Sequence, residues 1–269
     1  TGDISGVESS LQKRNGAINN TATMGSFLSS HDEDTLQYKL VNESKISEEE
    51  AYNLMKVAAT LQITAKGQPV LYYGEEIGQG GANNWPLQTN RRDFDWTELE
   101  KQKADSNSIY NHYKTMLAIR NAYTDVFARG NRSTVAVSDA DGYEVISRSY
   151  GNNTLYVGMN VKEAEKEVVI PVAESAGTVL TNLYDGKTYT VSADQNVSVT
   201  IPAAKDGGTI VLTAEKKTEP APDEKQDDKK TDTAESNGNA QSSGNNANQS
   251  TSANKTNPKQ EEQAVAEVT

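Results

Sequence analysis

The sequence predicts an α/β unit, then an all-β unit, then a disordered tail. Three observations carry this. Residues 24–74 read strand, helix, strand. After Gly130, eight short β-rich runs alternate with turn residues. From Glu215 onward there is no Leu, Ile, Met, Phe, Tyr or Trp, so that stretch cannot bury enough apolar surface to offset its ordering entropy. The expected boundaries are 1–130, 131–214 and 215–269.

Residues 1–25 are polar, with one short amphipathic segment at Val7–Leu11 that reads as a helical turn. Met24–Leu28 is a short apolar stretch, read as a strand whose end carries Ser-Ser-His-Asp. Residues 46–66 form the clearest helix. Ser47 is its N-cap and Glu50 completes a capping box. Apolar residues follow at Ala51, Leu54, Met55, Ala58, Leu61 and Ile63, and Gly67 ends it. Pro69–Gly74 is β-rich, so the helix has the length of a crossover between parallel strands. Residues 78–97 read as a long loop carrying both tryptophans, Trp85 and Trp96. Loops of that length in a compact region are usually functional or mobile. A second helix is expected at 107–123. Beyond it, runs such as YEVISRSY and TIVLTA, separated by Asp141-Gly142, Asp185-Gly186 and Gly207-Gly208, indicate an antiparallel sandwich.

The net charge of −12 comes without a basic stripe, which argues against nucleic acid and anionic membrane surfaces and leaves a neutral substrate compatible. There is no cysteine, hence no disulfide or cysteine-based metal site. No apolar run approaches the roughly 20 residues of a membrane helix, so membrane insertion is not expected. The chain opens on TGDISGVESSL, without an initiator methionine or a signal peptide, which suggests a piece of a longer polypeptide. Cysteine-free composition and the low-complexity tail suit an extracellular or cell-surface bacterial protein.

Four segments then carry a resemblance. FLSSHDEDT (27–35) resembles the His-Asp motif at the end of barrel strand seven in glycoside hydrolase family 13, the α-amylase family. GQPVLYYGEEIG (67–78) is similar to that family's Gly-x-Pro-x-x-Tyr-Tyr-Gly-x-Glu segment at strand eight. NRRDFDW (90–96) resembles its Arg-x-Pro-Phe-x-Trp element, with Asp93 where proline is usual. IYNHYKTMLAIRNAY (109–123) is similar to the last barrel helix. Their order and spacing fit, and the resemblance covers roughly residues 1–214. It implies the C-terminal portion of a (β/α)₈ TIM barrel, completed by the remainder of the barrel upstream, followed by a β-sandwich called domain C. It also implies an α-glucan substrate such as starch. A nucleophilic aspartate and an acid glutamate would lie outside this chain, so these residues alone are expected to hydrolyse nothing.

The resemblance assigns Asp32 as the transition-state stabiliser and His31 as a donor to a sugar hydroxyl. Without it, His31-Asp32 reads as an ordinary polar loop pair. Of Tyr72 and Tyr73, one ring is expected at the sugar and the other in the barrel core, and Tyr73 is taken as the substrate residue. Trp85 is either a stacking platform for a sugar face or a packing residue on the rim. Trp96 and Phe94 read as core anchors, Glu76 as a structural carboxylate, and Arg91 and Arg92 as partners of rim carboxylates. His112 reads as a surface or packing histidine. Glu33 and Asp34 lack the spacing of a calcium loop and read as solvated. No metal ligand or cofactor is therefore expected here, and any Ca²⁺ would be held by residues outside this chain. The rival readings are a non-catalytic carbohydrate-binding or scaffold protein of the same fold, and a relative that transfers glycosyl units.

Overall fold

A computed structural model describes residues 4–214. The expected tail at 215–269 lies outside the described residues. Helix α1 (Ile4–Ala17) leads to a two-residue strand β1 (Gly25–Ser26). A single turn α2 (Leu36–Tyr38) runs on into a π-helical turn over Lys39–Glu43. Helix α3 (Glu48–Thr64) then crosses back to β2 (Gln68–Pro69). Helices α4 (Trp96–Ala104), α5 (Ile109–Ala122) and α6 (Thr124–Arg129) follow.

Helix α3 starts where its cap predicts: the Ser47 hydroxyl accepts from the Glu50 amide at 3.1 Å. Three glutamates fill its first turn, where the helix dipole favours negative charge. Ala51, Met55, Ala59 and Ile63, spaced by four, are almost fully buried, the last three in one cluster with Tyr113 and Met116 of α5. Strands β1 and β2 pair parallel, Gly25 opposite Gln68, as a helical crossover allows. The turn between α3 and β2 requires glycine. Gly67 has φ +88°, and a Cβ there would lie 2.3 Å from the Met24 carbonyl oxygen.

All eight expected C-terminal strands form: β3 (Asn131–Ser138), β4 (Tyr143–Tyr150), β5 (Asn153–Asn160), β6 (Lys166–Pro171), β7 (Val179–Asn182), β8 (Thr188–Thr190), β9 (Asn196–Ile201) and β10 (Thr209–Thr213). They make a six-stranded antiparallel sheet in the order β3-β4-β5-β10-β7-β8 and a two-stranded sheet β6-β9. The large sheet is covered on both faces. Ile146, Leu155, Val157 and Val211 pack with the helices, and Val145, Tyr156, Ile210 and Leu212 pack with Ile170, Val199 and Ile201. This is why TIVLT of β10 is buried at every position and does not alternate.

Two buried arginines join helices and sheet. Arg148 of β4 donates to the carbonyls of Thr64, Val126, Phe127 and Gly130. Arg120 of α5 donates to the carbonyls of Ile63, Ala65 and Gly67. These carbonyls lie in or just beyond the C-terminal turns of α3 and α6, where helices leave acceptors unpaired and the dipole favours a cation. Burial pulls Arg120 down to about 10 and, with the charges of Arg132 and Arg120, Arg148 down to about 9, so both stay protonated at neutral pH.

Trp96 corrects an expectation. It is the first residue of α4 and is 70% exposed, stacked edge-on against Phe94 at 4.8 Å, so it anchors no core. The helix it opens begins inside the stretch expected to be loop up to residue 97. Its cap is Asp95, whose carboxylate accepts from the Glu98 amide. His112 is the packing histidine, buried between Thr60 and Tyr184, and burial lowers it to about 3.

Candidate active site

The parallel pair β1-β2 delivers two segments side by side. After β1 come Ser29, Ser30, His31 and Asp32. After β2 come Tyr72 and Tyr73. The Asp32 carboxylate is 71% exposed. One of its oxygens lies 3.1 Å from Nε2 of His31 and the other 3.5 Å from Nη2 of Arg91. Ion pairs this exposed contribute little stability, so what they fix is orientation.

The backbone beneath Asp32 is held by the 81–91 segment. Asn90, nearly fully buried, donates its amide to the carbonyls of both His31 and Glu33 at 2.9 Å. Arg91 Nε donates to the His31 carbonyl at 3.1 Å, and Asn83 Nδ2 to that of Asp32 at 2.7 Å. The Asn83 backbone amide donates to Asp34. Thr35 and Gly81 exchange backbone and hydroxyl hydrogen bonds at 2.9 and 3.0 Å. Five residues of loop are thus pinned by groups some 50 residues away. Sequence reading missed Asn83 and Asn90. The one available signal was two further polar amides inside a Gly-Asn loop.

The two tyrosines divide. Burial pushes the Tyr72 hydroxyl up to about 12, and the neighbouring Tyr73 adds to it. The Tyr72 hydroxyl also feels Asp32 and Arg91, and it donates to the Asn90 carbonyl at 3.1 Å. Tyr72 therefore borders the Asp32 cluster. Tyr73, 42% exposed, donates to the Arg92 carbonyl at 3.0 Å, with its ring centre 4.7 Å from that of Tyr72. Trp85 projects from the loop two residues after Asn83 and is 84% exposed. It shares no hydrogen bond or ring contact with the other candidates among the described residues.

Below the site, Glu75 is anchored by the Tyr113 hydroxyl, which donates to it at 2.9 Å. Burial raises Glu75 to about 7 against that bond. Glu75 and Glu76 each leave one buried carboxylate oxygen without a hydrogen-bond partner among the described residues. Glu33 pairs with Lys39 at 2.9 Å. Among the described residues, no group of three or more His, Asp or Glu side chains is placed to hold a metal ion.

Residues 3–94, which contain this whole arrangement except Asp95 onward, match the family model described as alpha amylase, catalytic domain. This segment is therefore similar to the α-amylase family. Similar proteins include a cyclomaltodextrinase of Geobacillus thermopakistaniensis, 29% identical over 148 residues, covering 55% of this chain and 24% of that protein. An amylopullulanase of Thermoanaerobacter thermohydrosulfuricus is 28% identical over 197 residues, covering 66% of this chain and 12% of that one. The α-amylase of Geobacillus thermoleovorans solved with acarbose superposes with a TM-score of 0.63 at 21% identity, over 78% of this chain and 43% of that chain. At that identity the likeness concerns the fold alone, here mixed helices with one parallel strand pair and antiparallel sheets. The chain spans about a quarter or less of the length of these two curated relatives.

Proposed function

We propose that this chain is the C-terminal part of a retaining glycoside hydrolase acting on α-glucans, with Asp32 as its transition-state-stabilising carboxylate. In this reading β1 and β2 are the last two strands of a (β/α)₈ barrel, residues 131–214 are domain C, and the remainder of the barrel supplies the other strands. The observation that carries it is the exposed Asp32–His31 pair, in the segment that follows β1, on a backbone held by Asn83, Asn90 and Arg91.

The chemistry follows from the charges. Cleavage passes through a state with positive charge on the sugar ring, and an exposed, oriented carboxylate lowers its energy more than that of the neutral ground state. Arg91 holds the Asp32 carboxylate by one oxygen and leaves its other to His31 and the substrate. His31 uses Nε2 toward Asp32. Its Nδ1 has no partner among the described residues and faces the choice of accepting from a sugar hydroxyl or, when protonated, donating to one. Tyr73 and Trp85 offer flat apolar faces to sugar rings. Retention requires two further carboxyl groups, a nucleophile and an acid. We assign both to the rest of the catalytic domain, along with any Ca²⁺ site. An extracellular or cell-surface location fits a polymeric substrate too large to import.

Asp32→Asn in the complete enzyme tests this. Turnover of starch is expected to fall at least ~100-fold, the scale seen when one preorganised transition-state contact is removed, with the fold unchanged. Near-normal turnover would end the assignment. Products of the α anomer are expected by NMR at early times. The same residues serve a transferase, a reading favoured by structural relatives such as the cyclomaltodextrin glucanotransferase CldA. Coupled sugars instead of free reducing ends would identify it.

A further inference from the structure

A polar cleft of about 450 Å³, of a size that takes small molecules, opens beside the 78–92 segment. None of His31, Asp32, Tyr73 or Trp85 lines it. Its walls are α2 with the π turn after it, the first turns of α3, and the start of α4. Its floor is glycine, and the absence of side chains there is what makes room. A Cβ on Gly80 would meet the Gln37 amide oxygen at 1.7 Å, and one on Gly78 would meet the Tyr52 ring at 2.8 Å.

The groups in the cleft are uncommitted. The hydroxyls of Tyr38 and Tyr52, the Glu48 carboxylate and the Arg92 guanidinium have no hydrogen-bond or ion-pair partner among the described residues. They also converge. Burial raises Tyr52, Glu48 and Glu98 push it in the same direction, and Arg92 opposes them, so all three charges reach its hydroxyl. Glu48 and Glu98 oppose an anion. Arg92 opposes a metal ion. A neutral polyhydroxylated ring satisfies both signs, since each hydroxyl can donate to a carboxylate or accept from the guanidinium while the ring face lies on tyrosine.

We propose that this cleft is a second saccharide-binding site, separate from Asp32, formed between α2, α3 and α4. It shares the 78–92 segment with the first site: Gly80, Gly81 and Arg92 border the cleft, while Asn83 and Asn90 of the same segment hold the 31–34 backbone. A sugar in the cleft would therefore rest on the support of Asp32. The cleft chemistry stands alone, and only the choice of an α-glucan probe rests on the proposed function.

The test is a titration of the ¹⁵N-labelled 269-residue chain with maltotriose. Saturable shifts are expected at the Gly78, Gly80 and Gly81 amides, retained in Asp32→Asn and weakened at least tenfold in the Arg92→Ala, Glu48→Gln double variant. Tyr38→Ala, on a different wall, provides an independent second variant with the same expected loss. Silent glycine amides, or shifts equal in all cleft variants, would overturn the proposal. Shifts confined to residues 30–34 and abolished by Asp32→Asn would also overturn it, while leaving the proposed function standing. Normal starch turnover by the Asp32→Asn enzyme would do the reverse.

Discussion

The molecule builds the same pairing, carboxylates on an arginine, twice and to opposite ends. At the rim, Asp32 meets Arg91 at 3.5 Å with both side chains at least 41% exposed. Between α1 and the large sheet, Glu8 meets Arg132 at 2.6 Å with both side chains at most 4% exposed, and Glu144 of β4 lies beside them. Water screens the first cluster, so its members remain available to a ligand. The second is dry. Burial raises Glu8, but its bonds to Arg132 outweigh that and hold it low, whereas burial and the Glu8 charge push Glu144 up to about 8. One guanidinium cannot keep two buried carboxylates ionised, so one of them keeps its proton.

The largest effect that would sharpen this contrast is Arg132→Met. It strands Glu8 in an apolar setting, and unfolding in urea should show a loss of about 3–5 kcal/mol, the usual cost of breaking a buried pair from one side. A loss under about 1 kcal/mol would mean that α1 does not depend on the pair. Next is the pH dependence of stability. Glu144 has a folded-state value above its ordinary one, so its contribution is full below about pH 4.5 and is lost as pH rises toward 8. Its surroundings are Glu8 on α1, Arg132 on β3 and Asp139 in the turn just after β3. Glu144→Gln should flatten the fall in melting temperature between pH 5 and 8, and an unchanged slope would assign that fall elsewhere. The smallest effect on stability belongs to Arg91→Ala. It should cost at most about 1 kcal/mol while lowering kcat/KM of the complete enzyme on starch. The opposite pattern, stability lost and activity kept, would break the comparison.

The parts that were legible in the sequence are those whose causes are local. Helix α3 announces itself by Ser47 and by apolar residues at helical spacing. Most of the eight strands are marked off by turns with a positive-φ glycine, such as Gly142, Gly151, Gly186 and Gly207. The His-Asp pair is visible as a motif, though not what holds it. Helix α1 was visible only as a turn, because ISGVESSLQKRNGA has little apolar face and its key contact, Glu8 to Arg132, spans 124 residues. Arg120 and Arg148 look like ordinary charged residues until the carbonyls they serve are brought to them by the fold. Trp96 misled for the converse reason. A large aromatic is more often inside than out, and the Asp95-x-x-Glu98 capping signal that starts a helix at Trp96 lies inside the stretch expected to be loop, while nothing in sequence says that its first residue faces water.

The carbonyls gathered by Arg148 bear on how this polypeptide could ever be divided. The change in sequence character near residue 130 invites a cut. Four acceptors N-terminal to that cut, at Thr64, Val126, Phe127 and Gly130, take their hydrogens from a side chain eighteen residues or more beyond it. A shortened helical piece would lose that donor at all four carbonyls, although Val126 would keep the Gly130 amide. In inheritance terms, the sheet behaves less as an appended module than as a lock whose key is one residue.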